Sequence, residues 1–109
     1  MTKSVASSLL ECNGFNGKNM ATKFKDSFMT EPFRGYGGGV VSIFNNWNER
    51  EITDENVNIP SKEQFGGSGS YGNGAAMRVS PVALFSDSVS QCIQVSFNIF
   101  DIFINTITK

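Results

Sequence analysis

Between residues 67 and 74 the chain reads Gly-Ser-Gly-Ser-Tyr-Gly-Asn-Gly, four glycines around two hydroxyls, one phenol and one amide. Successive glycines leave backbone N–H groups free to converge on an anion, and a helix beginning just after them adds its positive N-terminal end. That is the chemistry of a phosphate cradle. The run Gly67 to Gly72 satisfies GxGxxG, and Asp87 stands 20 residues past Gly67, where a dinucleotide fold places its ribose-binding acid. The preceding "IPSKEQF" is not a buried strand, however, and Pro60 and Lys62 argue against one. A Rossmann site is therefore excluded while the anion cradle is kept. The alternative is that these glycines turn the chain or let helices pack closely. Asn73 either caps a helix or adopts left-handed geometry. Tyr71 and Phe65 either stack on a base or belong to the core. Arg78 either contacts phosphate or caps neighbouring structure.

Other chemistries are ruled out by composition. The sequence contains no histidine, so this chain cannot by itself assemble a Ser-His-Asp triad, a Cys-His pair or a zinc site with an imidazole ligand. None of Glu11, Asp26, Glu31 or Asp87 sits in a recognisable catalytic spacing. Nine basic residues face ten acidic ones without runs, so no patch suited to direct nucleic-acid binding is present. Cys12 and Cys92 have no ligand-like spacing and read as reduced core thiols, which fits an intracellular location, cytoplasmic, nuclear or mitochondrial. No secretory signal is visible at the start. The most apolar stretch, "IQVSFNIFDIFINTI", is too polar for a membrane span.

The elements that must position the glycines are mostly helical. At 109 residues the chain is one domain at most. Val5, Leu9 and Cys12 recur at helical spacing over residues 1–12, and "NGFNGKN" ends that helix. Met20, Phe24 and Phe28 predict a second helix to about Met29, closed by Glu31 and Pro32. After "RGYGGG" comes a short apolar helix carrying Val40, Val41, Ile43, Phe44 and Trp47. Residues 48–64 read as a loop. "AAMRVSPVALF" reads as a helix that Pro81 kinks or splits. Beyond Asp87 the alternation of Val95, Phe97 and Ile99 predicts a strand, one with no obvious partner. Met20, Phe24, Phe28 and Trp47 are assigned to packing.

"RGYGGGVVSIF" followed by "FGGSGSYGNGAAMRVSPVALF" resembles the ADP-ribosylglycohydrolase family, most closely its poly(ADP-ribose)- and serine-ADP-ribose-directed branch. The opening "MTKSVASSLLE" is similar to the helix after that family's first metal motif. The likeness covers roughly residues 1–86. It implies an all-α fold, two magnesium ions, and hydrolysis of the glycosidic bond joining ADP-ribose to protein or to another ADP-ribose. By this resemblance Ser68, Gly69, Ser70, Tyr71, Gly72, Asn73 and Gly74 form the substrate-binding loop and Phe65 lies at the adenosine end. Gly35 and Gly37 lie near the phosphate and distal ribose.

The resemblance also implies what this sequence lacks. The family's Thr-Asp-Asp-Thr magnesium motif precedes the helix that starts here at Met1. Its water-activating glutamate and its second Asp-containing metal motif have no counterpart either. Where the family continues into a helix with a substrate-contacting histidine, "DSVSQCIQVSFNIFDIF" departs. The expectation is a partial domain over residues 1–86 and a divergent tail over 87–109, the product of read-through or mis-splicing. Such a chain keeps the ADP-ribose loop without the magnesium ligands and is inactive alone, with exposed apolar surface and poor solubility. The alternatives are a non-catalytic module that binds ADP-ribose, or a structural piece that completes a hydrolase in trans.

Overall fold

A computed structural model describes residues 1–63 and 78–103, and every element among them is a helix. In chain order these are α1 (Thr2–Cys12), α2 (Gly17–Thr30), α3 (Gly38–Glu49), α4 (Ile59–Glu63), α5 (Ser80–Phe85) and α6 (Val89–Phe103). The all-α reading holds.

The central element is α2. Met20, Ala21, Phe24 and Phe28 line its buried face, and it packs against α1, α3 and α6. Its start lies three residues earlier than the apolar repeat indicates. The Asn16 side chain accepts from the Asn19 N–H at 2.9 Å, an N-cap that periodicity does not register. The end falls as expected, with Glu31 as the C-cap and Pro32 beyond it. Upstream, α1 buries Val5 and Leu9 and terminates at Asn13, whose left-handed backbone (φ 50°) is a conformation asparagine tolerates.

The segment 48–64 is more ordered than a plain loop. Thr53 and Asn56 exchange side-chain hydrogen bonds with each other's backbone N–H at 2.8 and 3.2 Å. The Trp47 indole donates to the Val57 carbonyl at 3.1 Å. Ile52 and Val57 are thereby buried, and the five-residue α4 follows with Pro60 in its first turn, where the missing N–H costs nothing. Pro81 likewise falls in the first turn of α5, two residues after its N-cap Val79.

The strand expected over Val95, Phe97 and Ile99 is replaced by the 15-residue α6. Val95 and Ile99 are buried and Cys92 and Phe100 pack beside them, a 3.6-residue repeat that outweighs β propensity once a helical core is available. The same core takes up Met20, Phe24, Phe28 and Trp47. Both cysteines are free thiols, and both are half-buried rather than fully enclosed.

Candidate functional site

Phe65 and the loop Ser68, Gly69, Ser70, Tyr71, Gly72, Asn73 and Gly74 lie outside the described residues. Gly35 and Gly37 are described, and they flank Tyr36 in the connection from α2 to α3. Gly35 has φ +77°, a conformation that L side chains rarely adopt, so a glycine is required there by the backbone. Tyr36 is held edge-on by two rings. Its centroid is 5.2 Å from Phe28 at 78° and 5.6 Å from Phe44 at 90°, geometries that the ring quadrupoles favour. The turn is thus anchored by an aromatic cluster shared between α2 and α3, and Glu31 pairs with Arg34 across its entrance.

Gly37 is the N-cap of α3 and Gly38 its first residue, yet neither has a φ that demands glycine. A Cβ built on either would meet no heavy atom of the described residues within 4 Å. Among the described residues, close helix packing therefore does not account for these two glycines. A glycine inside a helix costs about 0.5–1 kcal/mol relative to alanine, and no described contact offsets that at Gly38, whereas at Gly37 glycine is an ordinary N-cap. The first backbone N–H groups of α3 have no partner within their own helix.

Beside this turn lies an open cleft of about 540 Å³, bordered by the start of α1, the last turn of α2 and the connection itself. Lys3, Ser4, Ser27, Thr30, Arg34 and Tyr36 are among its walls. The two serine hydroxyls share a hydrogen bond of 3.0 Å that ties α1 to α2 at its floor. The Met1 amino group sits in the same cleft and is pushed below its ordinary pKa, first by burial, then by the positive charges of Arg78, Arg34 and Lys3. Lys3 and Arg34 bring positive charge to the walls of the cleft, set against two carboxylates there. Asp26 and Glu31 also border the cleft, with Glu31 engaged by Arg34.

Arg78, four residues beyond Gly74, is 8% exposed. Its guanidinium carbon lies 5.8 Å from the centroid of the Phe24 ring, within reach of a cation–π contact. Burial lowers its pKa and the nearby Tyr36 opposes that shift. The chain resumes after the glycine loop with a charged residue embedded beside the Gly35–Gly37 turn.

The described carboxylates do not gather into a metal site. Among the described residues no group of three or more His, Cys, Asp or Glu side chains comes together. Glu11 is held by Lys23 at 2.7 Å and by Asn19 at 3.2 Å, which together draw its pKa below the usual glutamate range. Asp26 lies 3.8 Å from Lys25. Sequence reasoning named the two glycines of the turn but missed Tyr36, Arg34 and Lys3. Tyr36 was discoverable, since a tyrosine between two glycines beside an apolar helix has to pack somewhere. The convergence of Lys3 and Arg34 was not, because they are brought together only by the α1–α2 contact.

A family model described as ADP-ribosylglycohydrolase matches residues 1–102, which takes in most of α6. The ADP-ribosylhydrolase ARH3 of Mus musculus is 40% identical over 89 residues, covering 82% of this chain and 24% of the relative. The ARH3 of Homo sapiens is also 40% identical over 89 residues, with the same coverage. That of Danio rerio is 43% identical over 84 residues, 77% of this chain and 22% of the relative. The chain spans about a quarter of the length of the curated relatives it matches.

Proposed function

Because the chain belongs to the ADP-ribosylglycohydrolase family, we propose that it carries the ADP-ribose-binding part of a hydrolase that cleaves the glycosidic bond of ADP-ribose on protein or in poly(ADP-ribose). The diphosphate is received by backbone N–H groups at Gly37 and Gly38 and by the loop Ser68 to Gly74. Tyr71 and Phe65 grip the adenine, Ser70 donates to phosphate, and Asn73 orients the loop or a ribose. One observation carries this reading more than any other. Gly37 and Gly38 open a helix where neither φ nor any contact among the described residues needs a glycine, and the preceding turn borders a cleft walled by Lys3 and Arg34 as well as by Asp26 and Glu31.

Binding of this kind supplies orientation, which is a substantial part of catalysis but not the chemical step. Glycoside cleavage passes through an oxocarbenium-like state that needs leaving-group assistance and an activated nucleophile. In the family, magnesium when bound supplies electrostatic polarisation. Magnesium takes oxygen donors from carboxylates. The carboxylates described here do not gather into a group of three or more, and Glu11, Asp26 and Glu31 face basic side chains, so they do not fit that role, and no step is derived through the metal. This chain's own contribution is to bind, to orient the diphosphate against α3, and to fix the turn through Tyr36.

The test is calorimetric titration of the chain with ADP-ribose, with and without magnesium, beside a Ser70→Ala, Tyr71→Ala double variant. Saturable binding that the double variant loses is the expected result. A folded chain, with cooperative melting by circular dichroism, that binds no ADP-ribose would refute the proposal. Incubation with ADP-ribosylated protein is expected to release no ADP-ribose from this chain alone.

A further inference from the structure

Helix α6 is apolar over more of its circumference than this chain covers. At about 100° per residue, Val95, Ile99 and Cys92 occupy one arc, the one that faces the core. Val89, Ile93 and Phe97 follow one another at i, i+4 and i+8 on the adjoining arc, and they are 76%, 52% and 56% exposed. Together the two arcs span about 200°, roughly twice the stripe a helix needs to pack on a single neighbour. The opposite side is polar, with Ser90, Gln91, Gln94 and Asn98, and Gln94 donates to Asn98 at 3.3 Å. From Val89 to Phe100 the helix bears no charged residue. A surface helix with that composition presents a second seam.

We infer that the Val89–Ile93–Phe97 stripe is a packing face for a further helix of an ADP-ribosylglycohydrolase domain, one lying outside these 109 residues. The occupant follows from extent. The family match runs to residue 102 and so includes most of α6, while some three quarters of each relative's length has no counterpart in this chain. A helix inside the matched region therefore has more of the same helical domain to pack against than the five described helices provide. The absence of charge along the stripe fits a buried helix–helix seam, from which charged residues are depleted. This inference rests on family membership and not on ADP-ribose binding.

The experiment is co-expression of the tagged chain with Mus musculus ARH3 from which the matched 89-residue segment is deleted, followed by affinity capture without ADP-ribose and sedimentation of the eluate. The wild-type chain is expected to retain the deleted relative in a one-to-one complex. Ile93→Glu and Phe97→Glu each weaken capture about tenfold or more, the effect of placing one uncompensated carboxylate in an apolar seam. Gln94→Glu, which adds the same charge on the polar arc, leaves capture unchanged. Circular dichroism of the separate chains checks that the helix is intact, and Ile93→Gln replaces any glutamate variant that loses helicity. Failure of the wild-type chain to capture the deleted relative would overturn the inference. So would capture that Ile93→Glu and Phe97→Glu leave intact, or sedimentation as a homodimer that those substitutions dissociate, which would make a second copy the occupant. ADP-ribose titration of the same preparations separates this failure from a failure of the binding proposal.

Discussion

Gly38→Ala distinguishes a glycine kept for the fold from one kept for a ligand. Gly38 is the first residue of α3, its φ lies in ordinary space, and an added Cβ meets no heavy atom of the described residues within 4 Å. Alanine should therefore stabilise the chain by about 0.5–1 kcal/mol through helix propensity and reduced freedom of the unfolded state. At about 4–8 °C per kcal/mol for a domain near this size, the melting temperature rises by about 2–8 °C. On the proposed reading, the added methyl group crowds a phosphate oxygen approaching the α3 N–H groups. Losing one charge-assisted hydrogen bond, about 1.5–3 kcal/mol, weakens ADP-ribose binding about tenfold to a hundredfold. Thermal melting and calorimetric titration on the same preparation read both effects. A variant that melts higher and binds ADP-ribose as tightly as the wild type would refute the assignment of this helix start to the ligand.

Gly35→Ala has the opposite sign on stability, because φ +77° penalises an L side chain even in open space. A fall of about 1–2 kcal/mol in urea denaturation is expected. Phe24→Ala removes a fully buried ring that also lies under the Arg78 guanidinium. The expected loss is about 3–5 kcal/mol, enough to abolish cooperative melting if the chain's stability is at the low end of the usual range. Glu11 has its pKa lowered in the folded chain by Lys23 and Asn19, so its bridge from α1 to α2 contributes above the ordinary glutamate range and is lost as pH falls through the lowered value. Glu11→Gln should therefore lower the melting temperature slightly at neutral pH and not at all in acid. Equal differences at both pH values would count against the bridge.

The helices that carry the core were legible because their apolar residues recur at one period. Met20, Phe24 and Phe28 mark α2, and Ile43, Phe44 and Trp47 mark α3. Boundaries set by side-chain capping were less legible. Asn16 extends α2 by three residues through one hydrogen bond to Asn19, and a polar residue before a polar turn carries no periodic signal. The fold within 48–64 depends on reciprocal bonds between Thr53 and Asn56 and on the reach of Trp47 to Val57, contacts that form only when α3 is already in place. The glycines of the site could be named from the sequence, but not the reason for each. Only the structure separates Gly35, required by its φ, from Gly37 and Gly38, which neither φ nor any contact among the described residues requires.

The misread strand has a physical cause that bears on function. Apolar residues at 95, 97 and 99 imitate β alternation because every second position is hydrophobic. In a helix positions 95 and 99 share a face while 97 falls on another side, so a helix that serves one core should not place hydrophobes at all three. Here Val95 and Ile99 enter the core while Phe97 stands 56% exposed in line with Ile93 and Val89. The alternation is thus the sum of two helical stripes with different destinations. One destination is the cluster built on α2, and the other is the seam assigned above to a further helix of the family domain. Phe97→Asn accordingly leaves the isolated chain's melting temperature nearly unchanged while removing capture of the deleted relative. The two stripes then separate by experiment as they do by geometry, and an equal loss of melting temperature and capture would show that Phe97 belongs to the chain's own core.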